Sequence, residues 1–229
     1  MEIRRSVFIT GGTGYLGRPL IERLLERGHE VRALTRAESR VKLPTGCIPI
    51  IGDALDSTTY AHHIQPADTF VQLVGVSHPN PSKAAQFRAV DLKSATGAIL
   101  AARGAGIQHF IYLSVAQPAP VMKAYIQVRA ECECQLRDSG MNATILRPWY
   151  VLGPGHRWPY ALIPLYRILE MLPGTRKGAL RLGLVTRDQM AQALVRSVEN
   201  PSRGVRLVEV PEIRSGQAFS AHWDHAANA

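Results

Sequence analysis

The sequence predicts an α/β fold in which helices cover both faces of a doubly wound parallel sheet. Short runs of apolar, β-favouring residues alternate with stretches whose apolar residues recur at helical spacing, which is typical of βαβ units. These runs are continuously apolar, as expected for strands buried on both faces. A glycine-rich turn follows the first run directly. Together these three observations favour a single sheet of parallel strands.

The first strand, turn and helix are the most sharply marked elements. Residues 7–10 form the strand, and residues 11–17, with the pattern G-x-x-G-x-x-G, form the turn. Apolar residues then recur at helical spacing up to Gly28, where the helix is expected to end. The chain therefore begins with a strand, a glycine turn and a helix.

The same alternation continues to about residue 148. Further strands are predicted at 31–34, 48–51, 69–74, 110–113 and 143–146, with helices near 57–64, 82–103 and 122–139. Beyond that the pattern loosens into a helical stretch at 159–172, a better helix at 186–199 and a last strand at 205–210. We predict one domain over residues 1–229, with 153–183 as a small C-terminal substrate-binding appendage and 215–229 as a flexible tail.

Composition and charge limit the possible functions. Of the 229 residues, 46% are hydrophobic and 20% are charged, so the chain can bury a core and is neither disordered nor fibrous. The formal net charge of +9 suits an anionic partner. Because the arginines are dispersed and not interleaved with aromatic residues, we expect no nucleic acid. The expected partner is a small molecule, bound by a monomer or a homodimer.

The cysteines and the hydropathy pattern predict a cytoplasmic location. The chain has three cysteines, and the C-x-C pair Cys132 and Cys134 lies in a predicted helix, where its geometry does not suit a disulfide. The longest charge-free run, residues 104–122, contains two prolines and is not a bilayer span. We therefore expect reduced thiols in a soluble protein.

The glycine turn predicts a dinucleotide site. Glycines allow a tight turn and a close approach of the backbone to a pyrophosphate, whose charge sits at the positive end of the helix. The alternative is a tight turn without a ligand, but the strand before it and the helix after it favour binding. The candidate residues are Gly11, Thr13, Gly14, Tyr15, Leu16 and Gly17.

The end of the second strand indicates which dinucleotide is bound. An acidic residue there accepts a hydrogen bond from the ribose 2′-hydroxyl of NAD, whereas a basic residue meets the 2′-phosphate of NADP. This chain has Arg36 at that point, with Arg40 and Lys42 close behind it and Glu38 between them. We therefore predict NADP rather than NAD, with Arg36 as the selective residue. The alternative is a solvated basic loop.

Two further strand ends carry candidate cofactor contacts. Asp53 follows the third strand, where its carboxylate can accept a hydrogen bond from the adenine amino group. The alternative is a helix N-cap, a role for which Asp56 or Ser57 is better placed. Gly75 follows the fourth strand, where a glycine lets the backbone pass close to the cofactor.

Five segments carry a resemblance to a known superfamily. They are residues 10–17, 52–53, 110–114, 125–129 and 146–155. In these segments the chain resembles the short-chain dehydrogenase/reductase superfamily, specifically its extended and atypical branches, which include the NmrA-like proteins and putative NAD(P)-dependent epimerases. The resemblance covers residues 5–210 and implies a Rossmann-like fold.

The resemblance also implies catalytic roles. Tyr125 takes the position of the tyrosine that acts as general acid and base in such enzymes. Arg129 stands where the family has a lysine that holds the nicotinamide ribose and lowers the pKa of the tyrosine. Ser114 lies where the family's substrate-orienting serine region begins. Asp91 matches the place of the family's structural asparagine.

The segment after the sixth predicted strand is expected to face the nicotinamide. The resemblance places Pro148 and Val151 where the extended branch approaches that ring. His156 follows in a glycine-rich loop, where it either binds substrate or donates a proton, or simply lies on the surface. The apolar stretch 160–171 is interpreted as a buried lid or dimer interface, with a partner-docking helix or peripheral membrane contact as alternatives.

The histidine groups do not predict a metal site. His62 and His63 are adjacent, and His222 and His225 lie in the tail, but neither group has a second cluster of ligands. No metal is therefore expected.

The sequence thus predicts an NADP(H)-dependent oxidoreductase, or an epimerase- or dehydratase-type enzyme, acting on a small carbonyl or hydroxyl substrate through Tyr125 and Arg129. The alternative is a catalytically weak redox sensor or assembly factor of the NmrA-like kind. The departures from the family's catalytic set favour that alternative.

Overall fold

The fold is a seven-stranded parallel sheet, here seen in a computed structural model that describes residues 4–154 and 163–216. The strands are β1 Ser6–Thr10, β2 Glu30–Thr35, β3 Ile48–Ile51, β4 Thr69–Gln72, β5 His109–Leu113, β6 Ala143–Arg147 and β9 Val205–Glu209. The sheet has the order β3-β2-β1-β4-β5-β6-β9, and every neighbouring pair is parallel. The predicted Rossmann-like, doubly wound fold is confirmed.

Helices cover both faces of this sheet. They are α1 Gly17–Glu26, α2 Ala84–Gln86, α3 Lys93–Gly104, α4 Lys123–Asp138, α5 Ile163–Met171, α6 Arg176–Arg181, α7 Arg187–Glu199 and α8 Val210–Ser215. One core lies beneath α3 and α4, and the other lies beneath α1, α7 and α8. Because both faces are buried, apolar side chains point to both faces of the central strands.

Single strands contribute side chains to both cores. On one face, the stacked rings of Phe8, Phe70 and Phe110 run across β1, β4 and β5, with centroids 5.3 and 5.1 Å apart. On the other face, Val71 and Ile111 of β4 and β5 belong to the second core. This two-sided packing explains the continuously apolar runs in the sequence.

The strand order places a crevice between β1 and β4. From β1 the chain builds outward through β2 and β3, and it then returns to the other side of β1 with β4. In such sheets ligands bind outside the carboxyl ends of the strands at this reversal. The glycine turn follows β1 and Gly75 follows β4, so both predicted cofactor segments lie at this edge.

Two of the predicted helices are not regular α-helices in the structure. Residues 57–64 form two 3₁₀ turns, Ser57–Thr59 and Ala61–His63, because the local side chains compete for backbone hydrogen bonds. The Asp56 carboxylate accepts from the Thr58 amide, and the Thr59 hydroxyl donates to the Asp56 carbonyl. The predicted helix 82–103 is interrupted by a π-helical segment, Phe87–Leu92, which buries Phe87 and Asp91.

A second, two-stranded sheet lies in the C-terminal third. Strands β7 Tyr150–Leu152 and β8 Leu184–Thr186 pair in parallel and bracket the predicted appendage. The sequence did not predict these strands, because three-residue strands carry little periodicity. Within residues 4–154 and 163–216, no helix combines the length and the apolar character needed to cross a membrane.

His109 should make the fold sensitive to acid. Its ring is buried, with Nε2 2.9 Å from Thr144 Oγ1, and burial, helped by Arg206 and Arg5, lowers its pKa to about 3. Below about pH 6.5 the unfolded chain therefore binds a proton at His109 that the folded protein does not bind. The free energy of unfolding falls as pH drops below that value. Between pH 7 and pH 5 this one residue should remove about 2 kcal/mol from the free energy of unfolding.

The measurement is urea unfolding of the wild type and of His109→Gln at both pH values. The variant should lack this part of the pH dependence. His62→Gln, which replaces an exposed histidine, is the control and should behave like the wild type. Parallel pH profiles for wild type and His109→Gln would show that His109 titrates normally.

Candidate functional site

The glycine turn presents main chain to the crevice. Gly11 has φ +77°, and the Gly14 amide donates to the Gly11 carbonyl at 3.0 Å, which closes the turn. A Cβ at Gly17 would overlap the Gly11 carbonyl oxygen and the Gly12 backbone, so α1 can begin against the turn only because residue 17 is glycine. The residues present therefore fit the cradle that a pyrophosphate needs.

The N-terminal end of α1 can attract an anion. The N-cap residue, Leu16, gives no side-chain hydrogen bond to the first amides, and the first turn carries no acidic residue. The positive end of the helix is therefore not neutralised locally. A phosphate at this position would meet backbone donors and a favourable dipole.

A cavity of about 440 Å³ lies beside the turn. The Arg187 guanidinium carbon lies 5.5 Å from the centroid of the Tyr15 ring, and Arg18 is ion-paired with Glu22 at 3.1 Å. Sequence reasoning missed Arg187, because α7 reaches the turn only in the folded chain. Arg18 could have been noticed as a cation in the first turn of α1. The lining residues are Thr13, Gly14, Tyr15, Arg18, Pro19, Glu22 and Arg187.

Arg36 follows β2, where the prediction placed it. Its side chain is 74% exposed, and its Nε lies 3.4 Å from Glu38 Oε1, which is also exposed. Ion pairs of this kind contribute little, so the guanidinium can change partner at small cost. Arg40 and Lys42 are exposed nearby. This edge of the crevice is therefore basic.

Asp53 lies at the carboxyl end of the edge strand β3. Its carboxylate is exposed and accepts a hydrogen bond from the Leu55 amide at 2.9 Å. Asp56 is the N-cap of the following 3₁₀ turn, as the competing interpretation foresaw. A contact between Asp53 and adenine stays a prediction.

Arg129 and Asp91 form a buried ion pair beneath Gly75. The distance from Arg129 Nη2 to Asp91 Oδ1 is 2.6 Å, and Asp91 Oδ2 accepts from the Val76 amide at 3.0 Å. A Cβ at Gly75 would overlap Nη2, so the close approach requires glycine there. The pair therefore ties the loop after β4 to α4 and to the π-helical segment.

The Nη1 atom of Arg129 is directed at β5, whereas its buried Nε has no hydrogen-bond partner among the described residues. Nη1 donates to the Tyr112 hydroxyl at 3.2 Å and to the Leu113 carbonyl at 2.8 Å. Burial alone would lower the pKa of Arg129, but Tyr112, Tyr125 and Asp91 outweigh it and raise that pKa well above its ordinary value. The guanidinium is thus a fixed positive charge held by protein acceptors.

Tyr125 lies one helical turn before Arg129 on α4, and the structure brings the two together. The guanidinium carbon of Arg129 lies 5.1 Å from the centroid of the Tyr125 ring. The Phe87 ring packs against the same tyrosine, with centroids 5.0 Å apart. Arg129 and Tyr125 therefore form a cation–π contact.

Ser114 belongs to a hydrogen-bond network that does not include Tyr125 or Arg129. It is buried, and its hydroxyl donates to the carboxylate of Glu133, a buried residue of α4, at 2.6 Å. Gln117 donates to the same carboxylate at 2.7 Å, and Arg147 is ion-paired with it. A catalytic role for Ser114 stays a prediction. Sequence reasoning missed both its partner Glu133 and the pairing of Glu133 with Arg147.

Pro148 and Val151 lie on the approach to the appendage. The Pro148 carbonyl accepts from the Ala116 amide at 2.9 Å, which links the loops after β5 and β6. Val151 lies in β7 and packs against the core beneath α1 and α7. A Cβ at Gly153 would overlap the Tyr15 hydroxyl, so the glycine turn reaches the start of the appendage. The nicotinamide contacts assigned to both residues stay predictions.

Several sequence features lie outside the described residues. His156 and the beginning of the stretch 160–171 fall within 155–162, and His222 and His225 fall within 217–229. Across residues 4–154 and 163–216, no three His, Cys, Asp or Glu side chains are grouped as metal ligands. All three cysteines are free, and burial raises the pKa of Cys47 to about 11.

The chain is similar to a known protein family and to curated proteins. A family model described as NAD(P)H-binding matches residues 11–201. Ceramide reductase of Caulobacter vibrioides is 28% identical over 221 residues, which cover 93% of this chain and 66% of that protein. Photosystem II assembly factor Ycf39 of Cyanophora paradoxa is 28% identical over 146 residues, covering 62% of this chain and 44% of that one. The chain spans about half to two thirds of the length of the first two curated relatives.

Solved structures share the fold. The Bordetella bronchiseptica enzyme WbmH in complex with NAD+ superposes with a TM-score of 0.67 at 21% identity, covering 92% of this chain and 79% of that one. The UDP-glucose 4-epimerase of Thermus thermophilus, in complex with NAD, gives a TM-score of 0.65 at 19% identity, covering 89% and 77%. Both were determined with a nicotinamide dinucleotide bound.

Proposed function

This chain belongs to the NAD(P)H-binding family, whose model covers residues 11–201, and on that premise we propose that it is an NADP(H)-dependent oxidoreductase or an epimerase- or dehydratase-type enzyme. Its substrate is a small molecule that carries a carbonyl or hydroxyl group. The proposal rests on two groups at the carboxyl ends of the central strands. The glycine turn follows β1 directly, and the Arg129 guanidinium, which contacts the Tyr125 ring, donates to the Leu113 carbonyl at the end of β5.

The chain's own residues have distinct parts in this function. The glycine turn and the first turn of α1 hold the pyrophosphate, and Arg36 holds the 2′-phosphate. The cofactor, when bound, supplies hydride chemistry. Tyr125 holds the proton that is exchanged with the substrate oxygen, and Arg129 positions the Tyr125 ring through the contact of its guanidinium with the ring face.

The preference for NADP rests on the charge of one crevice edge. Arg36, Arg40 and Lys42 are exposed there, and the acidic residue among them, Glu38, is exposed and lies 3.4 Å from the Arg36 guanidinium. A guanidinium can bind a phosphate through two parallel hydrogen bonds, whereas the 2′-hydroxyl of NAD would leave it without an anion.

Arg36→Ala should weaken NADPH binding about 10- to 100-fold and leave NADH binding nearly unchanged, because only NADPH carries the phosphate that Arg36 meets. The measurement is titration with each nucleotide, followed by tryptophan fluorescence and by thermal shift, since a ligand of the native state raises apparent stability. Arg103→Ala, an exposed arginine of α3, is the control. Equal losses for both nucleotides would refute the preference, and no binding of either by the wild type would refute the function.

A second candidate function is a cofactor-binding sensor or assembly factor with little or no turnover. Two observations favour it: the guanidinium of Arg129 is held by Asp91, Tyr112 and Leu113, and the hydroxyl of Ser114 is held by Glu133. The match to an assembly factor points in the same direction. Both candidate functions require that the chain binds the nucleotide. Replacement of Tyr125 distinguishes them, because only the enzyme would lose turnover.

A further inference from the structure

Helix α5 has two opposite faces, and one of them holds it to the rest of the protein. Tyr166 and Glu170 are one turn apart and line a cavity of about 330 Å³. Glu170 is ion-paired with Arg214 of α8 at 2.7 Å, and Arg214 also donates to the Leu184 carbonyl. This face therefore anchors α5 to the body of the fold.

The other face of α5 is apolar and exposed. Helical geometry places residues 168 and 171 on the side opposite to 166 and 170, and residue 172 follows directly after the helix. Large exposed apolar side chains grouped in this way mark an interaction surface. They are Ile168, Met171 and Leu172, with exposed fractions of 57%, 81% and 50%.

Basic residues follow this face in the sequence. Glu170 is the single acidic residue in positions 150–187, and its carboxylate is already paired with Arg214. Arg176 and Lys177, at the start of α6, are exposed just beyond Leu172. The basic residues in the same stretch of sequence are Arg157, Arg167, Arg176, Lys177, Arg181 and Arg187.

We propose that this surface, called the α5 face and made of Ile168, Met171, Leu172, Arg176 and Lys177, docks on an anionic lipid bilayer. The apolar side chains enter the boundary between headgroups and acyl chains, and the two cations meet anionic headgroups. The inference does not depend on the proposed function.

The charge pattern favours a bilayer over a second copy of the chain. A two-fold symmetric dimer through this face would bring the same surface patch of each subunit together. Arg176 and Lys177 would then face their own counterparts, with no unpaired acidic residue nearby in the sequence to compensate them. An anionic bilayer neutralises those charges while it takes up the apolar side chains.

The experiment is cosedimentation of the full chain with phosphatidylcholine vesicles, with and without phosphatidylglycerol. Anionic lipid should raise the bound fraction at least about tenfold at low salt, and added salt should reduce it. Met171→Glu and the double variant Arg176→Glu/Lys177→Glu should each lower binding to anionic vesicles about tenfold or more, the first through the apolar contact and the second through the charges.

Matched variants on α3 test the location. Leu100→Glu changes a side chain that is 63% exposed, and Arg103→Glu changes an exposed arginine, both far along the chain from α5. These should bind vesicles as the wild type does, and all variants should keep the wild-type thermal transition. Equal binding of the wild type to both vesicle types, or unchanged binding by Met171→Glu, would overturn the proposal. So would a lipid-free dimer that Met171→Glu dissociates, which would assign the face to a second copy.

Discussion

Replacement of Arg129 by methionine should lower the free energy of unfolding by about 3–5 kcal/mol, because it leaves the carboxylate of Asp91 buried without its counter-ion. Asp91 is fully buried, and its partners are the Arg129 guanidinium and the Val76 amide. Methionine keeps much of the side-chain volume but supplies none of the hydrogen bonds to Asp91, Tyr112 and Leu113. The measurement is urea unfolding at neutral pH.

The pH dependence identifies the cause of this loss. Burial raises the pKa of Asp91, and in the wild type Arg129 opposes that rise. In the variant that opposition is lost, so the pKa of Asp91 in the folded protein rises further above its value in the unfolded chain than it does in the wild type. The variant therefore gains stability relative to the wild type as pH falls, and the difference between them should be smaller at pH 5 than at pH 8.

Two comparisons complete the test. The double variant Arg129→Met/Asp91→Asn removes both charges and should recover a large part of the loss, since the stranded carboxylate is gone. Arg18→Met breaks an exposed ion pair with Glu22 and should cost less than about 1 kcal/mol. A loss for Arg129→Met no greater than that for Arg18→Met would mean that the buried pair contributes no more than a surface one.

Local chemistry allowed much of the fold to be predicted from sequence. The strand, turn and helix of residues 6–26 follow from a buried apolar run and from glycines at closely packed positions. The resemblance to the short-chain dehydrogenase/reductase superfamily agreed with the family match and with the fold of the solved structures. Strands β7 and β8 were missed because their pairing is long-range and each has three residues.

The side-chain partners within the candidate site could not be predicted. Asp91 and Arg129 are 38 positions apart, and Ser114 and Glu133 are 19 apart. Spacing places Tyr125 and Arg129 on one helical face, but it does not say which acceptors bind the guanidinium. The π-helical segment brings Asp91 there, and no periodicity in the sequence predicted that segment.

These pairings change what the departures from the family pattern mean. Arg129 in place of lysine and Asp91 in place of asparagine are complementary, because the longer cation reaches the added negative charge at 2.6 Å. The two substitutions therefore act as a unit that fixes the loop at Gly75 and Val76. The residue left for chemistry is Tyr125, whose ring contacts this permanent positive charge.

Replacement of Tyr125 by phenylalanine should lower turnover about 10²- to 10⁴-fold, the usual contribution of a positioned acid or base, while NADPH affinity stays unchanged. Phenylalanine keeps the ring that packs between Phe87 and Arg129 and removes only the hydroxyl. The assay follows NADPH consumption over a panel of aldehydes and ketones, with nucleotide titration of the same samples. The effect should therefore appear in kcat rather than in cofactor binding.

Tyr60→Phe is the matched control, because it removes a hydroxyl from a buried tyrosine in the core beneath α3 and α4. Its turnover should equal that of the wild type. If Tyr125→Phe also retains full turnover, the acid–base role assigned to Tyr125 is wrong. If the wild type binds NADPH tightly but consumes none with any carbonyl compound, the fixed Arg129–Asp91 pair is scaffold, and the chain acts as a cofactor-binding sensor or assembly factor.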